Sequence, residues 1–363
     1  MTLAVGRHFS QSYAEARAKF LAAAEAAGLD VESHVHPMLG RDGETLAMDV
    51  VRDGPKDARS VLIVSSACHG VEGYCGSGVQ IAMLGDEAWR AAARQAGVAV
   101  LYLHGLNPYG FSWWRRTTHE NVDLNRNFRD FHTEAPRNAG YDELAALLVP
   151  PTWPPSAAVV EQVERFVAER GERALQQAIS GGQYHYPEGL FFGGTGPTWS
   201  QVTLRHVLRD HGAHCTKLGW IDLHTGLGPS GHGERIYAGR DDAATVARAR
   251  RWWDDITSIY DGSSTSAVLT GMMWFAAYEE CPQAEYTGIA MEYGTLPQTE
   301  VMTALRADQW LENHPEAPDA QRREIKRQVR DAFYTDTDMW KERIVEQAVD
   351  AAYGALRGLA STG

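Results

Sequence analysis

Two seven-residue runs, Ser60–Ser66 (SVLIVSS) and Val98–His104 (VAVLYLH), are apolar along nearly their whole length. A strand with one face in water alternates polar and apolar residues, so a continuous run of this length reads as a strand covered on both faces. Shorter segments at 31–37, 45–52, 217–222, 236–238 and 289–293 also read as strands, the first two joined by the turn at 40–43. Between the strands lie helical patterns at 10–27, from 77 to 84, at 198–211, at 241–260 and at 320–360. Ser10 or Ser12 can cap the first and Gly28 can end it. In the last, Ile325, Val329 and Phe333 recur at four-residue spacing. This alternation predicts an α/β fold with a largely parallel or mixed sheet and helices on both faces. Residues 131–190, with helical stretches and a Pro-rich run at 149–155, interrupt the pattern. They read as an insertion or lid within a single domain spanning 1–363.

The balance of 34 Lys and Arg against 47 Asp and Glu gives a net charge of −13. An acidic surface repels phosphate backbones, which excludes nucleic acid as the expected partner. No apolar stretch approaches the ~20 residues of a membrane span. The first residues lack a basic start followed by an apolar run, so a cytoplasmic protein is expected. Cys68, Cys75, Cys215 and Cys281 form no CxxC pair and read as reduced, structural thiols. No GxSxG elbow and no Walker loop are present.

Four segments carry chemistry. The first is Cys68-His69-Gly70-Val71-Glu72-Gly73, just past the end of a buried strand, where open α/β sheets place their ligands. A His and a Glu three apart on a glycine-flanked turn can face one ion, and zinc accepts both donor types. The second is Asp222-Leu223-His224-Thr225-Gly226; Asp222 shares a strand face with His224 and reads as a carboxylate behind a ligand. The third is Asn121 to Phe128, preceded by Arg115 and Arg116, which gathers cations and amides able to hold a carboxylate or an oxyanion. In the fourth, Met291-Glu292-Tyr293-Gly294-Thr295, a carboxylate interrupts an apolar strand. A buried unpaired carboxylate is costly, so Glu292 is expected to meet a partner or reach a cleft, where it could accept a proton from water.

HGVEG, NPYG followed by RR and DLNRNF, DLHTG and the late MEYGT occur in an order that resembles the zinc carboxypeptidase-like superfamily, closest to a bacterial branch of it. The resemblance implies a three-layer α/β/α sandwich around a mixed, roughly eight-stranded sheet. It implies one zinc ion held by His69, Glu72 and His224, and Glu292 as general base. Arg116 suits the arginine that polarises the scissile carbonyl, with Arg115 its adjacent competitor. Asn125 and Arg126 match the pair that grips a substrate's terminal carboxylate. The implied activity is hydrolysis of an amide in a small peptide. The alternatives are an N-acyl amino acid deacylase, similar to desuccinylases and aspartoacylases, and a catalytically silent binding protein of the same fold. Homo-oligomerisation is left open. The stretch between Glu72 and His224 is longer than in the familiar digestive enzymes, with the excess expected in 131–190. The tyrosine that many family peptidases carry before the base has two candidates here, Tyr278 and Tyr286.

Several further residues carry weaker signals. His34 and His36 alternate on a strand, and His104 ends one; ordinary structural histidines are expected at all three. The aromatic segment at 183–194 could line a pocket. The segment at 228–234, with His232 and Glu234, is expected to border the cleft. Trp113, Trp114, Trp252, Trp253 and Trp274 read as core or rim, since no basic groove surrounds them.

Overall fold

The computed structural model describes residues 5–361. Seven strands form one sheet: β1 (Val31–Leu39), β2 (Thr45–Asp53), β3 (Ser60–Ser66), β4 (Val98–His104), β5 (Lys217–Ser230), β6 (Gly233–Tyr237) and β7 (Glu285–Gly294). Their spatial order is β1-β2-β4-β3-β5-β7-β6. The central strands β4, β3, β5 and β7 are parallel, while β1, β2 and β6 run antiparallel to their neighbours. The roughly eight-stranded sheet expected from the resemblance is thus a seven-stranded one among the described residues. β3 and β4 are buried at nearly every position, as their unbroken apolar runs require.

Among the described residues, fourteen α-helices surround the sheet. Before β5 they are α1 (Tyr13–Ala26), α2 (Gly73–Gly85), α3 (Glu87–Gln95), α4 (Pro108–Trp113), α5 (Leu124–Asn127), α6 (Ala139–Leu148), α7 (Ala157–Arg170), α8 (Glu172–Ser180) and α9 (Trp199–Gly212). After it come α10 (Ala243–Trp252), α11 (Phe275–Glu280), α12 (Gln298–Asn313), α13 (Asp319–Phe333) and α14 (Asp338–Ala360). Tyr13 and Phe20 of α1, Tyr74 of α2, Trp252 of α10 and Ile344 of α14 join one apolar core on one face of the sheet. Leu204 and Val207 of α9 and Ala276 of α11 join another on the opposite face. The result is the expected α/β/α sandwich. A third cluster joins Tyr141, Leu144 and Ile179 of the 131–190 segment to Leu305, Trp310 and Phe333 of α12 and α13. Among the described residues no helix is long and apolar enough to cross a membrane, and all four cysteines are buried and unpaired.

Local chemistry explains the element ends. Ser12, not Ser10, caps α1 by accepting from the Glu15 amide, and Gly28 follows the helix with φ +71°. The mainly helical pattern expected over 241–260 is α10 as far as Trp252, followed by turns and an isolated bridge at Thr257. There Thr257 exchanges backbone hydrogen bonds with β6, and its hydroxyl donates to Glu234. A tertiary carboxylate outcompetes helical propensity at that point. Similarly, 320–360 divides into α13 and α14 at residues 334–337, where Thr337 caps the second helix.

Gly76 lets α2 lie directly on the sheet: a Cβ there would stand 2.5 Å from Ser66 Cβ. Gly76→Ala should therefore lower stability by roughly 1–3 kcal/mol through overpacking. A urea midpoint unchanged from wild type would show that α2 has slack against β3.

Candidate metal centre and cleft

Three chain segments meet at the carboxyl ends of the parallel strands. His69 and Glu72 sit on a 3-10 turn immediately after β3, entered through Ala67 at φ +60°. Gly70 is packed so closely on α4 that a Cβ would meet the Gly110 backbone at 2.1 Å. The amides of Gly70 and Val71 donate to the carbonyls of Arg116 and Arg115 at 3.1 and 2.8 Å. His224 lies on β5, in register beside Glu292 on β7.

The two imidazoles converge. Their Nδ1 atoms are 3.2 Å apart, and each lies 2.9 Å from one oxygen of Glu72. Behind His224, Nε2 is 2.6 Å from Asp222, whose other oxygen accepts from Ser65 Oγ. A carboxylate only accepts, so Asp222 fixes the proton of His224 on Nε2 and turns the Nδ1 lone pair inward. His69 Nε2 has two neighbours, Asp123 Oδ1 at 3.2 Å and the Arg116 guanidinium at 2.7 Å. From the sequence alone, Asp222 has no assigned partner and Asp123 no role. The structure pairs each with one of the converging histidines.

Three carboxylates thus surround two imidazoles in a buried site. Burial alone would push Glu72 up, but His69 and His224 hold it below the usual carboxylate range. Burial would lower His224, yet Asp222 and Glu72 raise it well above an ordinary histidine. Asp123 is likewise held far down against its burial, by Arg116, Arg126 and His69. Two bare Nδ1 lone pairs at 3.2 Å repel, so the site requires positive charge between them, as a proton or a cation. A His₂Glu set with carboxylates behind the rings is the donor chemistry that suits zinc. Cys68, Asp222 and His224 also cluster, but there the carboxylate and imidazole already bind each other, and burial keeps the thiol protonated.

The cluster lines a cleft that Arg116, Asn125, Arg126 and Glu292 also line. Arg116 binds Asp123 at 2.9 Å and Glu72 at 3.2 Å and stacks on Phe191. Arg126 donates to the carbonyls of Ser180 (Nε, 3.2 Å) and Asn125 (Nη1, 3.0 Å), and the Oδ1 of Asn125 accepts from the Met273 amide. Glu292 accepts one backbone bond, from Leu227 at 3.0 Å. Burial and the charge of Glu72 push its pKa up to about 8. Ile236, Ile259, Leu269 and Trp274 give the cleft an apolar lining as well.

Arg115 does not join them. Its buried guanidinium pairs with Asp308 at 3.3 Å and with Asn121, on the α12 side. The two adjacent arginines diverge in an irregular turn, and only Arg116 faces the cluster. Tyr278 and Tyr286 do not line the cleft either; Tyr278 reaches the Arg240 amide, and Tyr286 is buried. From the aromatic segment at 183–194, Phe191 reaches the cleft. His104 is buried against Phe20 with Nε2 on Ser77 Oγ, while His34 pairs with Glu32 and His36 packs on Trp199. His232 lies in a separate surface depression, and Glu234 holds the 257–265 segment. Of the tryptophans, Trp274 lines the cleft.

Among solved structures, bovine thrombin-activatable fibrinolysis inhibitor, in complex with tick carboxypeptidase inhibitor, superposes with a TM-score of 0.52 at 11% identity, over 97% of this chain and 98% of that one. Carboxypeptidase A from Helicoverpa armigera gives 0.44 at 13% identity, over 89% and 74%. The chain shares its overall fold with the first of these structures. It belongs to the family described as "Protein of unknown function (DUF2817)", whose model matches residues 9–347. No curated protein matches in sequence.

The elevated Glu292 pKa has a thermodynamic consequence. The unfolded chain releases this proton near ~4.3, whereas the folded metal-free protein keeps it to about 8. A raised folded pKa contributes its stability in full below the unfolded value and loses it progressively up to the folded one. Metal-free wild type should therefore fall behind Glu292→Gln by about 1 kcal/mol per pH unit between pH 5 and 8, and the gap should level off above that. Urea unfolding of both proteins after chelation measures this. A gap that stays constant over pH 5–9 would show that Glu292 ionises as freely folded as unfolded.

Proposed function

We propose that the protein is a zinc-dependent hydrolase of amide bonds, acting on small peptides or N-acyl amino acids with a free carboxylate. The observation that carries this reading is the convergence of His69, Glu72 and His224 on one wall of a cleft, with an underbonded carboxylate, Glu292, on the adjoining strand. Those three residues would hold the ion. Zinc there supplies Lewis acidity, an activated water and a positive charge that draws Glu292 towards its ionised form.

The chain's own residues do the rest. Glu292 takes a proton from the attacking water and returns it to the departing amine. Its single backbone bond leaves the second carboxylate oxygen free for that transfer. Arg116, fixed by Asp123 and Glu72, presents charge to the oxygen that becomes negative as the carbonyl is attacked. Arg126 and Asn125 orient the substrate through its carboxylate, so the amide is held near the base. Peptides and N-acyl amino acids share these two handles, and only assays on both separate them. The acidic, helix-wrapped molecule suits a cytoplasmic enzyme.

Elemental analysis should find about one zinc per chain, lost in His69→Ala/His224→Ala. Glu292→Gln should keep the metal while kcat falls by about 10²–10⁴, the usual worth of a general base. A variant with full zinc and undiminished turnover would remove Glu292 from the chemistry. Zinc without turnover of any N-blocked dipeptide or N-acyl amino acid would favour a silent binding protein.

A further inference from the structure

Cys215 lies in the link from α9 to β5, and Cys281 ends α11 shortly before β7. β5 and β7 are parallel neighbours that start in register, Lys217 beside Glu285, so the two cysteines arrive together at the amino ends of these strands. Gly212, the last residue of α9, shows how closely they meet: a Cβ there would collide with Cys281 Sγ and stand 3.9 Å from Cys215 Sγ. Both sulfurs face the end of the same helix. Cys215 Sγ donates to Gly212 O at 3.0 Å, and Cys281 Sγ to Leu208 O at 3.5 Å. Backbone and side-chain bonds hold the two segments to each other. The Glu285 amide donates to Thr216 O at 2.8 Å, and Gln283 Nε2 donates to Gly212 O at 2.8 Å and Cys215 O at 3.3 Å.

The two thiols are not equivalent. Cys281 can donate to the Cys215 sulfur, and that bond, with the charges of Arg52 and Arg59, brings the Cys215 thiol below its ordinary range against its burial. The same bond, together with burial, pushes Cys281 up. Arg52 is fixed at this spot by donating from Nη1 to His211 O at 2.9 Å. A thiolate is the nucleophile of sulfur chemistry, and cations beside it favour its formation. Cys68 and Cys75 provide the contrast, since burial pushes both thiols far up. Cys215 and Cys281 are buried too, but Ala213, His214, Pro282 and Gln283 beside them are exposed, which places the pair just beneath the surface.

We propose that Cys215 and Cys281 form a redox-active dithiol that hydrogen peroxide converts into a disulfide. The Cys215 thiolate attacks one peroxide oxygen, the O–O bond breaks, and the departing hydroxide takes a proton to become water. Cys215 is then a sulfenic acid. Cys281 gives up its proton and attacks that sulfur; the S–O bond breaks, the oxygen leaves as a second water, and the S–S bond forms. Two thiols are oxidised and one peroxide is reduced. A small dithiol restores the pair by exchange. The crosslink joins segments that are already bonded to each other, and it closes a loop over residues 216–280, which includes β5, β6 and the cleft-lining Ile259 and Trp274. The dithiol lies at the opposite ends of these strands from His224 and Glu292, and its chemistry is independent of the hydrolase reading.

The test treats the reduced full chain with hydrogen peroxide, without denaturant, and maps its peptides by mass spectrometry. Wild type should lose two hydrogens, carry one crosslink between the peptides of Cys215 and Cys281, and recover with dithiothreitol, while Cys68 and Cys75 stay free. Cys281→Ser should stop at the sulfenic acid on Cys215, captured as a dimedone adduct, and Cys215→Ser should leave Cys281 unmodified. The oxidised wild type should melt about 3–8 °C above the reduced form, because the crosslink restricts the unfolded chain. No crosslink in the native protein, or one that forms only in urea, overturns the proposal. An adduct on Cys281 in Cys215→Ser, with none on Cys215 in Cys281→Ser, overturns the assignment of the attacking sulfur. A lower midpoint after oxidation overturns the claim that the bond suits the native backbone.

Discussion

The facing of two imidazole nitrogens across 3.2 Å is the constraint around which the rest of the site is arranged. Nothing in a hydrophobic core favours that approach. It is held because Asp222 and Asp123 stand behind the rings and Glu72 lies between them, and because all three carboxylates are buried where their charge is poorly screened. Removing one carboxylate would leave the remaining charges unbalanced in a poorly hydrated place, which is far costlier than losing a surface pair. The arrangement is pre-formed, so a cation bound there would have little ordering entropy to overcome.

The sheet makes the convergence affordable in backbone terms. β3 and β5 are parallel neighbours, so residues just past their carboxyl ends arrive side by side. β7 continues the series and sets Glu292 beside His224. The polar half of the cleft is therefore built on strand ends, which are rigid. Other cleft-lining residues come from α8, α12 and irregular loop, whose positions depend on side-chain hydrogen bonds and on the apolar cluster around Phe333.

Much of this was legible from the chain alone, and the reasons differ by element. The strands were readable because burial on both faces leaves an unbroken apolar run, as in Val98–His104. His69 and His224 stand out because each follows an apolar run, Glu72 because it lies three residues beyond His69 on a glycine-flanked turn, and Glu292 because it interrupts an apolar strand. What escaped notice depends on partners distant in sequence. Asp123 gains its role from His69, 54 residues away, and Glu234 from a loop it meets only in the folded state. Local propensity favoured helix through 241–260, and the Glu234–Thr257 bond overrides it. Arg115 and Arg116 were inseparable by type; only the direction of the backbone sends one to α12 and the other to the cluster.

His69 and His224 are 155 residues apart, and the strands that carry them are adjacent. During synthesis β3 and β4 emerge and can pair long before β5 exists. Until Lys217 and the residues after it leave the ribosome, β3 is an open sheet edge: apolar, without a charged residue, and destined for the centre. Finished proteins guard their edges with short strands, charges or prolines, and a strand bound for the interior has none of these defences. The detour that separates the two histidines thus imposes a waiting time during which the nascent chain is most exposed to aggregation and most dependent on chaperones.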